Sequence, residues 1–156
     1  MRTVTAQDSP VVYASDILIA ILVNLKRLCD KKQLFLRAGY NELQEIFYKL
    51  LQLDNFKYLE TCFVFSDSGP IPYCPILQKA VEHLQFANML CWPDIQEQAP
   101  RTMRLHTDAD AWYEKNLNCP GKRLAYQDII TCKQIAKVIN EMWPGLIVDR
   151  PCLERC

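Results

Sequence analysis

The stretch FVFSDSGPIPYCPILQKAVEHLQFANML, residues 63–90, changes character twice and decides the predicted fold. It opens within TCFVF at residues 61–65, a β-branched and aromatic run that predicts the best strand in the chain. Gly69 and Pro70 then predict a turn, and the prolines that follow delay the next helix until residues 76–90. A strand, a tight turn and a helix are therefore expected in this order.

The predicted helix over residues 76–90 is amphipathic. Its apolar positions recur at helical spacing and are Leu77, Ala80, Val81, Leu84, Ala87 and Leu90. Polar side chains occupy much of the other face, namely Gln78, Lys79, Glu82, His83 and Gln85. A strand and a turn leading into such a helix are typical of a winged-helix unit that reads DNA, and the same scaffold can hold a protein partner.

The remaining elements are predicted from capping residues and apolar spacing. Ser15 caps a first helix that is apolar on more than one face, so we expect this helix to be central and largely buried. Asn41 starts a second helix, with Gln44 at the spacing of a capping box. The later predictions are a strand over residues 101–107, a short helix from Asp108 and a last helix over residues 124–143.

The predicted fold class is mainly α, or α+β: a helical domain with a winged-helix-like element and a small antiparallel β-hairpin. Residues 1–14 are predicted to be an extended N-terminal segment, residues 15–143 a single domain and residues 144–156 a C-terminal tail. A chain of 156 residues can bury roughly 70% of its unfolded surface. We therefore expect it to fold without a metal or a disulfide.

The composition narrows the class of protein. Eighteen basic residues balance eighteen acidic ones, whereas proteins that bind nucleic acid non-specifically usually carry a basic excess. The eight cysteines include no CxxC spacing and follow no secretory signal, so we expect buried thiols rather than disulfides or a zinc site. The apolar run from Ile17 is too short to span a bilayer. We expect a cytoplasmic protein with no membrane partner.

Several short motifs resemble the SocA-like antitoxins (the Panacea domain) and the related YwgA-type proteins. The matching positions are the aromatic strand (Phe63, Phe65), the turn (Gly69, Pro70), the helix (Leu84, Leu90) and the later strand and helix start (Leu105, Thr107). The helix sequence ELQEIFYKLLQL is also similar to a helix of that family. The resemblance implies a helical domain with a winged-helix-like element that acts as an antitoxin or adaptor and binds another protein, and not an enzyme.

The leading hypothesis is accordingly a non-enzymatic protein-interaction domain, whose role is toxin neutralisation or that of an adaptor. It would bind its protein partner through an apolar groove beside the Gly69–Pro70 turn. Aromatic side chains are enriched at binding hot spots. Tyr73, Phe86 and Trp92 are the predicted anchors.

The alternative hypothesis is a dimeric winged-helix transcriptional regulator. Its helix over residues 76–90 would enter the major groove of DNA, with Lys79 and His83 on the exposed side. Arg101 and Arg104 lie on the predicted wing strand, where they would contact backbone phosphates.

No catalytic residue, metal site or cofactor is predicted. His83 and His106 are the only histidines, and either could be imagined beside Cys74 or Cys91, but no third group is placed to orient such a pair. An acidic set at the start of a predicted helix is expected from the helix dipole alone; it comprises Asp108, Asp110 and Glu114. A basic cluster near the end of the first helix has the same explanation; it comprises Lys26, Arg27, Lys31, Lys32 and Arg37.

Overall fold

The computed structural model describes residues 9–66, 69–91, 102–118 and 123–148, which form an α+β fold. The α-helices are α1 (Ser9–Leu28), α2 (Tyr40–Leu50), α3 (Pro75–Phe86), α4 (Ala109–Asn116) and α5 (Tyr126–Met142), with a 3₁₀ helix over Asp54–Thr61. The strands are β1 (Leu34–Leu36), β2 (Leu90–Cys91), β3 (Met103–Leu105) and β4 (Ile147–Val148). The helical class and the last two helices agree with the sequence-based predictions.

The strands form one antiparallel sheet in the order β2-β3-β1-β4, which is larger than the predicted hairpin. Leu105 of β3 lies opposite Leu34 of β1 on one side and Leu90 of β2 on the other. These three leucines are buried in the hydrophobic core, so one sheet face packs against the helices. The strand β4 pairs with β1 and comes from the part of the sequence predicted to be a tail.

Helix α1 begins at Ser9, so the prediction of an extended segment up to residue 14 is wrong for residues 9–14. Pro10 lies in the first helical turn, where its missing N–H leaves no hydrogen bond unmade. The hydroxyl of Ser15 donates to the carbonyl of Val11 within the helix, instead of capping it. None of the helices in the described ranges, α1 included, is apolar over enough residues to cross a bilayer.

The predicted central position of α1 is confirmed. Every residue over 14–25 is buried, and α1 packs against α3, α4 and α5. An amphipathic surface helix buries one stripe only. Because α1 is covered on all sides along this length, it is the element around which the other helices assemble.

Helix α3 ends at Phe86, four residues before the predicted end. Asn88 has φ 62°, in the left-handed region that asparagine tolerates better than most residues. The N–H of Met89 donates to the carbonyl of Leu84 at 2.8 Å, and that of Asn88 to the carbonyl of Gln85 at 3.0 Å. This pattern is a Schellman motif, which terminates the helix and releases the chain into β2.

Candidate partner-binding site

The segment TCFVF at residues 61–65 is not a strand, and that prediction is wrong. The 3₁₀ helix extends through Thr61, and the N–H of Phe63 donates to the carbonyl of Leu59 at 2.9 Å. Phe63 is buried, with its ring centroid 5.4 Å from that of Phe47. Core burial of this aromatic ring next to α2 has taken precedence over the β propensity of the segment.

A proline-rich corner between residues 66 and 74 connects this segment to α3. Ser66 and Tyr73 form an isolated antiparallel bridge, with N–H to carbonyl distances of 2.8 and 2.9 Å. The buried side chain of Gln44 then holds the backbone of Cys74: its Nε2 donates to the carbonyl at 3.1 Å, and its Oε1 accepts from the N–H at 2.7 Å. These contacts attach the corner to α2.

The capping box predicted for α2 from Asn41 and Gln44 is not formed, and only half of such a box is present at Gly39, which has no side chain to cap the helix. The carboxylate of Glu42 accepts a hydrogen bond from the N–H of Gly39 at 2.9 Å. The side chain of Gln44 therefore does not cap α2 and instead binds the backbone of Cys74. The sequence spacing alone could not distinguish these two roles for Gln44.

The start of α3 is set by the end of the corner. The sulfur of Cys74 accepts from the N–H of Leu77 at 3.4 Å, and Pro75 occupies the first helical position, one residue before the predicted start of the helix. Gly69 is exposed, and a Cβ built on it would meet only the Ile71 carbonyl oxygen, at 3.9 Å. The turn at Gly69 and Pro70 thus does not depend sterically on a glycine.

A groove of about 230 Å³ lies beside this corner, between α2, the 3₁₀ helix and the segment that precedes Ser66. It is lined by Tyr48, Leu51, Gln52, Glu60, Phe63, Val64 and Phe65. The rings of Tyr48 and Phe65 meet edge to face with centroids 5.5 Å apart. Val64 is 62% exposed, and Glu60 forms no ion pair with any described residue. We call this feature the corner groove.

The predicted anchors do not form one patch. Tyr73 is 43% exposed and belongs to the corner beside the groove. Phe86 is 92% exposed but lies at the other end of α3, whose twelve residues span about 18 Å. Trp92 lies outside the described residues. Sequence reasoning missed Val64, although its position between two aromatic residues of a predicted strand would have placed it on the opposite face from them.

The residues of the DNA-binding alternative lie on separate elements. Lys79 and His83 are exposed, one turn apart on α3. Arg104 is in β3 and alternates with two buried neighbours, so it points to the sheet face away from the core. Its Nε is buried and has no hydrogen-bond partner among the described residues. Arg101 lies outside the described residues.

Part of the basic cluster is neutralised by the acidic set on α4. Asp110 binds Lys26 and also Arg27, whose Nε lies 3.0 Å from it, and Arg27 reaches Glu114 at 2.7 Å. Partial burial acts to raise the pKa of Asp110, but the hydrogen bonds from the two cations outweigh it and lower that pKa below its ordinary value. The acidic set therefore has a structural partner.

Within the described ranges, neither histidine forms a hydrogen bond with a cysteine. His83 lines a pocket of about 90 Å³ that contains no cysteine side chain, and His106 accepts a hydrogen bond from the N–H of Asp108 at 3.0 Å. No group of three or more possible metal ligands occurs among the described residues. The described cysteines are free thiols; Cys74 and Cys132 are buried as expected, whereas Cys29, Cys62 and Cys91 are only half-buried.

The small pocket beside His83 contains an ion pair between a buried carboxylate and a half-exposed guanidinium. The side chain of Asp16 is 5% exposed and accepts hydrogen bonds from Nε and an Nη of Arg123 at 3.0 and 3.1 Å. The guanidinium also lies 5.4 Å from the centroid of the Trp112 ring. Burial raises the pKa of Asp16 to about 6, against the opposing effects of Arg123 and His83.

This raised pKa predicts a pH dependence of stability. The native state holds the Asp16 proton more tightly than the unfolded state does. Asp16 therefore adds to the free energy of unfolding at low pH, and this contribution is lost as the pH rises through about 4 to 6. Between about pH 4.5 and pH 7.5 the loss should be about 2 kcal/mol. Urea unfolding of the natural protein and of Asp16→Asn at both pH values isolates this contribution, because the amide does not titrate. A larger acid-induced loss of stability in the natural protein than in Asp16→Asn would contradict it.

Comparisons with protein-family models, with curated proteins and with solved structures give no match for this chain. The resemblance to SocA-like antitoxins therefore stays a prediction, and a functional proposal has to rest on the geometry of the site.

Proposed function

We propose that the protein is a non-enzymatic interaction domain that binds a protein partner at the corner groove. The observation that carries the proposal is an open groove, lined by aromatic and aliphatic side chains together with Gln52 and Glu60, in which Val64 is 62% exposed. It lies beside a corner whose ends are joined by the Ser66–Tyr73 bridge. The predicted resemblance to antitoxins and adaptors that bind another protein points in the same direction.

The size of the corner groove favours a side chain over a metabolite as its occupant. Small-molecule sites usually enclose ≈ 300–1,000 Å³, and this groove has about 230 Å³. Anchoring side chains at interfaces insert into well-packed pockets of this kind and carry most of the binding energy. Tyr73, exposed beside the groove, would extend the contact.

The corner is also organised before any partner arrives, in Ser66 and in the part from Gly69 to Cys74 that the structure describes. Gln44 joins it to α2, and the Ser66–Tyr73 bridge joins its two ends. A site that is already ordered avoids the entropy cost of ordering upon binding. This favours a binding surface over a loop that folds around its partner.

The second candidate is a winged-helix DNA-binding regulator, and the order of elements favours it. The chain order is α1, β1, α2, the 3₁₀ helix, α3, β2 and β3. In the sheet, β3 lies between β2 and β1. Charge favours it less, because Lys26, Arg27 and Arg123 have carboxylate partners and the formal net charge is zero. Phosphate contacts supply most of the non-specific affinity of such proteins.

A photo-crosslinking residue at position 64 tests the leading proposal in cells that express the protein. We expect it to capture one dominant protein, because Val64 lies in the groove. The same residue at position 28, where Leu28 is 48% exposed on α1, should not capture it. The purified captured protein should then bind Val64→Glu roughly thirtyfold more weakly than the natural chain, as for a hot-spot residue.

Phe86→Glu is the matched control, since Phe86 is more exposed than Val64 but lies at the far end of α3. It should bind the captured protein as the natural chain does. Equal capture from positions 28 and 64 would contradict the proposal. Heparin retention that weakens steeply with salt, and that Lys79→Ala with Arg104→Ala abolishes, would favour the DNA-binding candidate instead.

A further inference from the structure

The segment that precedes Ser66 has backbone groups without partners. The N–H and C=O groups of Val64 and Phe65 form no hydrogen bond within the described ranges. Side chains of this β-branched and aromatic type favour paired strands. A strand-forming sequence thus has no strand to pair with in the described ranges, and its side chains line the corner groove.

The structure also shows why pairing stops at Ser66. In an antiparallel ladder that begins with Ser66 opposite Tyr73, hydrogen-bonded pairs recur at every second residue. The next hydrogen-bonded pair would be Val64 with Pro75. Pro75 has no N–H to donate and is the first residue of α3, so the chain turns away. Val64 and Phe65 consequently remain without a ladder partner from the described part of the chain.

We propose that the partner contributes an extended segment that pairs with the backbone N–H and C=O of Phe65, on the edge facing away from Tyr73, and so adds a strand beside the contact between Ser66 and Tyr73. This inference rests on the proposed function and names its binding mode. Strand addition draws its affinity from main-chain hydrogen bonds and its specificity from pockets for alternate side chains. The corner groove is such a pocket, directly beside the unpaired backbone.

The lining of the groove specifies the chemistry of that segment. An apolar side chain would occupy the space between Phe63, Val64 and Leu51. Glu60, the only charged residue in the lining, is exposed and has no ion-pair partner among the described residues. A lysine or arginine near the apolar residue would complement it, and a proline at a pairing position would be excluded because it cannot donate.

A phage-displayed library of short random peptides, panned on the full chain, tests this inference. Val64→Glu serves as the counter-selection target, because an exposed residue is changed and the core is left intact. We expect enriched peptides that alternate apolar and polar residues, carry a lysine or arginine and lack proline in the pairing segment. Glu60→Gln should weaken their binding severalfold, since an exposed ion pair contributes modestly.

The backbone pairing is measured on a synthetic copy of the most enriched peptide. N-methylation of its alternate residues should weaken binding roughly tenfold at the positions whose N–H pairs with the chain, and less at the intervening ones. Binding should also slow the hydrogen exchange of the Phe65 amide, whose N–H faces the open edge, but not that of the Val64 amide or of the Lys79 amide within α3.

The outcomes separate the two proposals. Enriched peptides with apolar residues spaced three and four apart, which become helical on binding, would overturn strand addition and keep the groove as the binding site. A lack of any peptide that prefers the natural chain over Val64→Glu would overturn the proposed function as well. If the chain instead forms dimers that Val64→Glu dissociates, the occupant is a second copy, and a partner segment is excluded.

Discussion

Replacing Gln44 with alanine should lower the free energy of unfolding by about 4 kcal/mol, because each buried polar group left without a partner costs about 1–3 kcal/mol. The side chain of Gln44 satisfies both the N–H and the C=O of Cys74, at 2.7 and 3.1 Å, in a buried environment. Alanine removes both partners at once and opens a space that water fills only in part. Urea denaturation of the natural and variant chains measures the difference.

Gln52→Ala is the matched control on the same side of the molecule. Gln52 is exposed, and its side-chain amide donates to the carbonyl of Tyr48 one turn earlier in the chain. Its substitution should change the free energy of unfolding by less than about 0.5 kcal/mol. Equal effects of the two substitutions would show that the contact with Cys74 contributes nothing specific to stability.

Truncating Leu18 to alanine should destabilise the protein by a comparable amount, about 3–5 kcal/mol. Leu18 is 1% exposed within the part of α1 that other helices surround. Its removal loses the transfer free energy of the side chain and leaves a cavity that packed neighbours fill only in part. Urea unfolding monitored by helical circular dichroism measures this loss.

Leu28→Ala makes the same chemical change in the last turn of the same helix, where Leu28 is 48% exposed. We expect a loss of less than about 1 kcal/mol, since little apolar surface returns to water. The comparison separates burial from helix propensity, which is equal for the two substitutions. If Leu28→Ala cost as much as Leu18→Ala, the surrounded position of α1 would be wrong.

These two predictions concern the frame that presents the corner groove. Gln44 holds the proline-rich corner against α2, and α1 supports α3, which begins at that corner. A variant weakened at Gln44 should therefore lose partner affinity together with stability. Val64→Glu should lose affinity alone, because its side chain is exposed.

Local sequence patterns predicted most of the helical architecture. The stripe from Leu77 to Leu84 predicted α3, and the prolines before Ile76 predicted its start to within one residue. The apolar residues on more than one face of α1 predicted its central place. These features depend on residues within one or two turns of each other, so the physical cause is contained in the local sequence. The fold class and the strand β3 were predicted for the same reason.

The sequence by itself thus determined where the main helices lie and which of their faces are apolar, apart from the start of α1 and the end of α3. Only the tertiary structure decided that Gln44 binds Cys74, that TCFVF remains unpaired, and that a tail residue such as Ile147 joins β1. Each of these depends on partners far apart along the chain, where neither spacing nor propensity carries information about pairing. The corner groove belongs to this second group, because it exists only once Phe63 is buried beside α2 and the ladder from Ser66 has ended.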